Sequence, residues 1–353
     1  MPAKVFLMAG GGTGGHVIPA LAVARELRSR GHEAFFVGTE RGLEAKLVPA
    51  EQFELRTIRI GGLNRVSWRQ KLVTLVRLPL ATLGCFKFRV SAVFSMGGYV
   101  AGPPVIAAII RRTPLVIMEP NAMPGFTNRF IGRFVSRALV SFPETASHFP
   151  AGRTEVTGLP VREEFFQVPV KPRGGTLSLL ITGGSQGSRT LNQAARQSWP
   201  LFRRSNFPVR IVHQTGPAGF ESLRDEFAAS GLEGQVVPFI TDMPAAFGEA
   251  DLIVCRSGAG SVSELAAAGK PSILVPFPFA ADDHQTRNAE AMERAGAARL
   301  ARDAEMNGEK LFAEVRELAH GPEALLRMAA AARQFARPGA ARRAATILEE
   351  VAK

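Results

Sequence analysis

The chain has 353 residues, 46% apolar and 21% charged, with a formal net charge of +12; that length suits two domains of about 150–200 residues with well-buried cores. No uninterrupted apolar stretch reaches the ~20 residues a membrane-spanning helix needs, and the N-terminal apolar run is too short for a signal-peptide core. Two distant cysteines, Cys85 and Cys255, match no metal spacing and point to a reducing compartment, so a cytoplasmic protein not integral to a membrane is expected.

In chain order, a strand is predicted at residues 5–8, then Gly10-Gly-Gly-Thr-Gly-Gly-His16, then a helix over 17–29. Glycines let the backbone turn tightly and approach a ligand, and a helix N-terminus favours negative charge. Gly10, Gly12 and Gly15 satisfy G-x-G-x-x-G, which leaves a dehydrogenase reading open, with Glu40 as ribose partner. A P-loop is excluded, because His16-Val17 stands where Lys-Ser/Thr is required. A helix start disfavours an imidazolium, so His16 is either a neutral ring able to accept a proton or a local cap.

Strands follow at 34–37, 92–95, 115–118 and 138–141, with amphipathic stretches such as 125–134 between them. From Arg65 to Arg89, Trp68, Leu72, Leu75, Leu78, Leu80, Leu83 and Phe86 are interleaved with Arg69, Lys71, Arg77 and Lys87. Such a segment suits an anionic membrane surface; a crossover helix with its arginines in water is the plainer alternative. Residues 1–160 carry 20 Lys+Arg against 9 Asp+Glu, net +11, and the rest carry 23 against 22, net +1. A nucleic-acid module is the non-enzyme reading of that charge. It needs aromatics among the basic residues for stacking, and the chain has one tyrosine and two tryptophans.

The periodicity weakens between Gly158 and Gly174, around Pro160, Pro169 and Pro172, which predicts a linker. It restarts with strands at 177–181, 209–213, 236–239, 252–255 and 272–275. Thr182-Gly-Gly-Ser-Gln-Gly-Ser188 again stands between strand and helix, where Ser185 and the loop amides can hold a phosphate. Both halves therefore open strand, glycine cluster, helix. That pattern predicts two doubly wound α/β domains with ligands at the carboxyl ends of parallel strands. Arg256-Ser-Gly-Ala-Gly-Ser-Val-Ser-Glu264 starts a further helix. Glu264 can accept hydrogen bonds from two ribose hydroxyls, or close a capping box with Ser261. In Asp282-Asp-His-Gln-Thr-Arg-Asn288, His284, Gln285 and Asn288 share one helical face, a polar set for sugar hydroxyls. No D-x-D pattern occurs, so no metal site is expected. The C-terminal residues predict helices with a break at Pro338-Gly339.

The ordered segments GGGTGGHVIPALAVA, SMGGYVAGPP, EPNAMPGFTNR, VTGLPVR, ITGGSQGS and RSGAGSVSELAAAGKPSILVPFPFAADDHQTRNA resemble, over nearly the whole chain, the glycosyltransferase family 28 enzymes that make lipid II in bacterial peptidoglycan synthesis. The resemblance implies the GT-B fold, two Rossmann-like domains facing across a cleft. Residues 1–160 become an acceptor and membrane-associating domain and 161–337 a UDP-GlcNAc domain, with a helix in 338–353 packing back on the first. It implies inverting transfer of GlcNAc from UDP-GlcNAc to the 4-hydroxyl of lipid I, without a cofactor. Another GT-B UDP-sugar transferase with a different acceptor is the alternative. The implied partners are UDP-GlcNAc, lipid I, the anionic cytoplasmic face of the inner membrane and other cell-wall synthesis or division proteins, but not nucleic acid.

By the same resemblance, Thr13, Gly14 and Gly15 match the family loop near the donor sugar and acceptor. His16 matches its histidine, a candidate base for the acceptor hydroxyl, and Asn121 matches an asparagine that contacts the sugar. Arg162, Ser185 and the backbone at Ile240 match donor-nucleotide contacts. Ala259, Gly260, Ser261, Val262, Ser263 and Glu264 match the diphosphate and ribose segment, with Glu264 on the ribose. Gln285, with His284 and Asn288, matches the set reading sugar hydroxyls. One position departs: Pro120 precedes Asn121 where many members carry Gln, so any contact from that Gln is absent here.

Overall fold

The strand-and-helix alternation builds two separate parallel sheets. The computed structural model describes residues 2–40, 42–61, 68–169 and 174–352, and all of their side chains except those of 69–73, 75 and 322. The chain divides into one unit of Met1–Val161 with Gly339–Lys353 and a second of Arg162–Pro338.

The first unit holds β1 (Val5–Gly10), β2 (Glu33–Gly38), β3 (Glu54–Thr57), β4 (Ala92–Gly97), β5 (Leu115–Glu119), β6 (Arg137–Val140) and β7 (Thr154–Val156), in the order β3-β2-β1-β4-β5-β6-β7. Its helices are α1 (Gly14–Ser29), α2 (Glu44–Ala50), α3 (Trp68–Cys85), α4 (Gly102–Arg111) and α5 (Phe126–Ile131). The stretch expected as one helix over 125–134 is split: α5 gives way to a 3-10 turn at Gly132–Phe134. The second unit holds β8 (Leu177–Thr182), β9 (Val209–Gln214), β10 (Glu233–Val237), β11 (Leu252–Cys255), β12 (Ser272–Leu274) and β13 (Arg299–Leu300), in the order β10-β9-β8-β11-β12-β13. Its helices are α6 (Arg189–Arg204), α7 (Phe220–Ala229), α8 (Met243–Glu249), α9 (Ala259–Ala268), α10 (His284–Arg294), α11 (Gly308–His320) and α12 (Pro322–Arg333).

Central strands such as FLMA and LLIT are buried on both faces, as parallel strands between helices must be. β3, β7 and β13 escape a search for apolar runs because each is a short sheet edge with partly exposed residues. α1 buries Val17, Ala20, Leu21, Val23, Ala24 and Leu27, the i, i+3, i+4, i+7 stripe that packs a helix on a sheet. The strand order reverses between β1 and β4 and between β8 and β11. Crevices at such switch points are where doubly wound sheets bind ligands. Both glycine clusters sit there.

A final helix, α13 (Ala340–Val351), belongs to the first unit and buries Ala344, Ala345, Ile347 and Leu348. Glu349 anchors it, accepting from Arg30 Nη1 at 2.6 Å and pairing with His32 Nε2 at 2.8 Å. Arg343 donates to both oxygens of Glu155 at 2.6 and 2.8 Å, the paired geometry that favours arginine over lysine. Burial alone raises the Glu349 carboxyl, but the His32 and Arg30 hydrogen bonds outweigh it and hold the group below its ordinary value. A depressed folded value adds stability above the unfolded pKa, and this is lost as pH falls through the folded one. Glu349→Gln should therefore cost about 1–2 kcal/mol at pH 7, with the difference from wild type shrinking below the carboxylate range. Melting temperatures of both proteins across pH check this; a gap equal at acidic and neutral pH would contradict it.

Candidate functional site

Two clusters form, one at the switch point of each unit. In the first, β1 ends at Gly10 and α1 begins at Gly14, three residues earlier than the sequence pattern suggests. His16 therefore lies inside the first turn. Gly12 has φ +86°, and its N–H donates to Glu44 Oε2 at 2.7 Å. Glu44 is fully buried and its Oε1 accepts from Thr39 N–H at 2.9 Å and Thr39 Oγ1–H at 2.8 Å. His16 Nδ1 lies 3.3 Å from the Gly11 carbonyl and 3.4 Å from Thr13 Oγ1. Thr13 is an exposed N-cap whose side chain makes no capping bond. The amides of Gly14 and Gly15 have no intrahelical acceptor, as at any helix start.

Asn121 lies in the same unit, just past β5. Its backbone N–H and Nδ2 both donate to Glu119 Oε1 at 3.0 Å. Glu119 is buried, and its Oε2 accepts from Gly125 N–H and Asn128 Nδ2, each at 3.0 Å. Burial pushes this carboxyl up, against the pull of those donors. Pro120, which has no N–H, leaves the Asn121 turn intact.

The second cluster gathers the other glycine turn, the end of β11 and the start of α10. Ser188 caps α6, its Oγ accepting from Leu191 N–H at 3.2 Å and from Arg256 Nη2 at 2.6 Å. Arg256 Nη1 also donates to the Val275 and Pro276 carbonyls, both at 3.1 Å, and pairs with Asp303. At Gly187, φ +75°, a Cβ would lie 1.8 Å from the Thr215 carbonyl, so only glycine fits. Gln214 is buried; its Nε2 donates to the Gly184 carbonyl at 2.9 Å and its Oε1 accepts from Ile240 N–H at 2.8 Å. The Ile240 amide is thus committed inside the protein. Ser185 stays exposed on the turn.

α9 starts at Ala259 with Gly258 as N-cap. That overturns the capping-box alternative: Ser261 lies inside the helix and Glu264 on its second turn, too late to reach back to an N-cap. Ala259, Gly260, Ser261 and Ser263 are half-buried, whereas Val262 turns into the core. No donor among the described residues bonds the Glu264 carboxylate. Burial pushes its carboxyl up to about 7, with the Arg162 guanidinium pulling the other way. Arg162 is exposed and stacks over Phe165 at 5.1 Å.

At α10 the three polar residues part company. Gln285 Oε1 accepts from Phe277 N–H at 3.0 Å, and its carbonyl accepts from Ser257 Oγ at 2.8 Å. His284 is half-buried, with Nδ1 2.5 Å from the Ala281 carbonyl. Asn288 is 0% exposed and donates to the Ser257 carbonyl at 3.1 Å, so it braces the turn before α9 from beneath. The shared helical face is real, but its far end is interior.

The basic amphipathic segment becomes α3, which turns Thr74, Thr82 and Cys85 inward. Trp68, Leu80 and Leu83 are 70%, 67% and 65% exposed, and Arg77 is exposed beside them. The plainer alternative placed arginines in water; here large apolar side chains are in water too. The side chains of Leu72 and Leu75, and Arg65 entirely, lie outside the described residues, as do residues 170–173 of the linker. Among the described residues no helix is long and apolar enough to cross a membrane.

Sequence reasoning passed over Glu44, Glu119 and Gln214. Glu44 stands near the start of a seven-residue helix and reads as an exposed charge. Gln214 has a signal: a polar residue closing the strand Val209–Gln214, at the sheet end where ligands bind.

The glycosyltransferase family 28 N-terminal domain model matches residues 6–140, and the C-terminal domain model matches 178–344. The chain is 74% identical over 353 residues to the UDP-N-acetylglucosamine--N-acetylmuramyl-(pentapeptide) pyrophosphoryl-undecaprenol N-acetylglucosamine transferase of Solibacter usitatus (strain Ellin6076), covering 99% of this chain and 97% of that one. The same-named protein of Azotobacter vinelandii (strain DJ / ATCC BAA-1303) is 43% identical over the full length of both. Among solved structures, MurG of Acinetobacter baumannii superposes with a TM-score of 0.83 at 35% identity, covering 98% of this chain and 99% of that one.

Proposed function

Because this chain belongs to glycosyltransferase family 28 and has its GT-B architecture of two Rossmann-like units, we propose that its two switch-point clusters are the donor and acceptor halves of one transferase. The enzyme is a hexosyltransferase of peptidoglycan synthesis that moves GlcNAc from UDP-GlcNAc to the 4-hydroxyl of lipid I, giving lipid II. One observation carries the donor assignment: Glu264 is half-buried on the helix that opens at Gly258, and no donor among the described residues bonds its carboxylate.

The uridine diphosphate lies against the 183–188 turn and the start of α9, where helix N-termini and unbonded amides favour anionic oxygens. Ser185 and Arg162 supply a hydroxyl and a fixed positive charge. Glu264 accepts from the ribose hydroxyls, and Gln285 with His284 reads the sugar, while Asn288 supports them through Ser257. With the Ile240 amide held by Gln214, the base is read at that position by the remaining backbone.

In the first unit, Thr13, Gly14 and Gly15 face the acceptor, with Asn121 fixed by Glu119 beside the sugar path. His16 takes the proton from the 4-hydroxyl as that oxygen attacks C1 and the C1–O bond to the diphosphate breaks, inverting the anomeric centre. Negative charge gathers on the leaving diphosphate, and amides, helix dipoles and arginine stabilise it where it develops.

Transfer of labelled GlcNAc from UDP-GlcNAc to a lipid I analogue tests the assignment. Wild type should turn over in excess EDTA, and His16→Ala should lose at least about 10²-fold in kcat, the low end for a general base. Full activity of His16→Ala would remove the base from the mechanism, and restoration by magnesium alone would remove its metal-free character.

The acceptor's polyprenyl chain requires a membrane, and the exposed apolar and basic face of α3 suits the anionic cytoplasmic leaflet. Replacing Trp68, Leu80 and Leu83 together by serine should release the protein from anionic vesicles while UDP-GlcNAc affinity stays unchanged. Vesicle binding equal to wild type would defeat the α3 assignment.

A further inference from the structure

The Gly11–Gly12 peptide group is held at both ends. Its N–H donates to Glu44 Oε2 at 2.7 Å, and its carbonyl oxygen lies 3.3 Å from His16 Nδ1. We propose that Glu44 is a positioning residue that fixes the tautomer and strengthens the basicity of His16 through this one peptide unit. The inference rests on His16 serving as the base.

The chemistry runs in one direction. A carbonyl oxygen only accepts, so the His16 nitrogen facing it carries the proton, and the accepting nitrogen is Nε2. A carboxylate bonded to the N–H end of a peptide polarises it and makes its carbonyl a stronger acceptor. The imidazolium formed during transfer is then stabilised, as an aspartate does directly in a Ser-His-Asp triad. Here a peptide stands between acid and histidine. Thr13 Oγ1, at 3.4 Å, can donate or accept and does not select a tautomer.

Glu44 is built in for this place. A Cβ on Gly11 would fall 2.6 Å from its Oε1 and one on Gly42 2.0 Å from its Oε2, so any other residue at either position would have to push the carboxylate out of this seat. Burial opposes its ionisation, but hydrogen bonds from Gly12 and Thr39 outweigh it and keep the carboxyl below its ordinary value. Around the histidine, β1 and β4 bring no titratable side chain, and Tyr99, in the 3-10 turn Tyr99–Ala101 after β4, lies against Gly12. Glu40 in the β2–α2 connection and Lys46 on α2 are exposed, and Arg41 is outside the described residues.

Glu44→Gln keeps the shape but offers one acceptor oxygen where three donors converge. Nitrogen-15 shifts of the His16 ring in the intact protein should show the Nδ1–H tautomer in wild type and a mixture in the variant. With lipid I as acceptor, kcat should fall roughly tenfold and its acidic limb move to lower pH, because the imidazolium loses a negative partner. KM for UDP-GlcNAc, whose site is in the other unit, should not move. An Nε2–H tautomer in wild type overturns the proposal even if the variant does not fold. An unchanged tautomer and acidic limb in Glu44→Gln, whatever happens to the plateau, reduces Glu44 to a scaffold and overturns it too. Full activity of His16→Ala instead removes the base assignment and leaves the tautomer result standing.

Discussion

A turn from a parallel strand into a helix leaves backbone N–H groups without partners, and those groups are useful only if the turn has one shape. Glycine gives the chain access to that shape but does not hold it there. In this protein buried side chains from outside each turn do the holding. Glu44 fixes the Gly11–Gly12 peptide in the first unit. Gln214 and Arg256 fix Gly184 and Ser188 in the second. Preorganised amides cost no reorganisation when charge develops on a ligand, which is the largest contribution a protein makes in many transfers.

In the proposed reaction the two units put the same device to opposite tasks. In the second, the brace is a neutral amide and a paired arginine, leaving positive helix ends to meet a diphosphate. In the first, the brace is a carboxylate, a poor neighbour for phosphate but a good one for a histidine that must become cationic. Two further carboxyls, Glu119 and Glu264, are pushed up by burial. Glu119 is satisfied by donors on the loop that follows it and on α5. No donor among the described residues bonds the Glu264 carboxylate, and its proposed partners are the ribose hydroxyls of the donor.

Much of this was legible in the sequence. The central strands, both glycine turns and the start of the α9 motif follow from apolar runs broken by small residues, because parallel strands must be buried on both faces. The edge strands β3, β7 and β13 were not legible, since half-exposed strands need no apolar run. The capping box at Ser261 and Glu264 was a fair local reading that lost to a helix starting at Ala259. His284, Gln285 and Asn288 do share a face, but periodicity cannot say that Asn288 is its buried end. Glu44 is invisible because one of its partners, the Gly12 amide, lies 32 residues back along the chain, which no local pattern encodes; Gln214 shows only as a polar residue closing a strand, and its partners Gly184 and Ile240 do not show at all.

In the proposed transferase the second unit seats the nucleotide through Glu264, and the carboxyl's elevated value makes that seat visible in the pH dependence of binding. Burial raises the carboxyl to about 7; above that pH it is the charged form, which accepts more strongly and from both ribose hydroxyls at once, whereas the protonated form spends one oxygen on its own O–H, and the diphosphate diester of UDP-GlcNAc does not titrate there. Calorimetric titration of UDP-GlcNAc into wild type and Glu264→Gln from pH 6 to 8 should show wild-type affinity rising with pH, and variant affinity weak and flat. Equal affinities with the same pH dependence in both proteins would contradict the account.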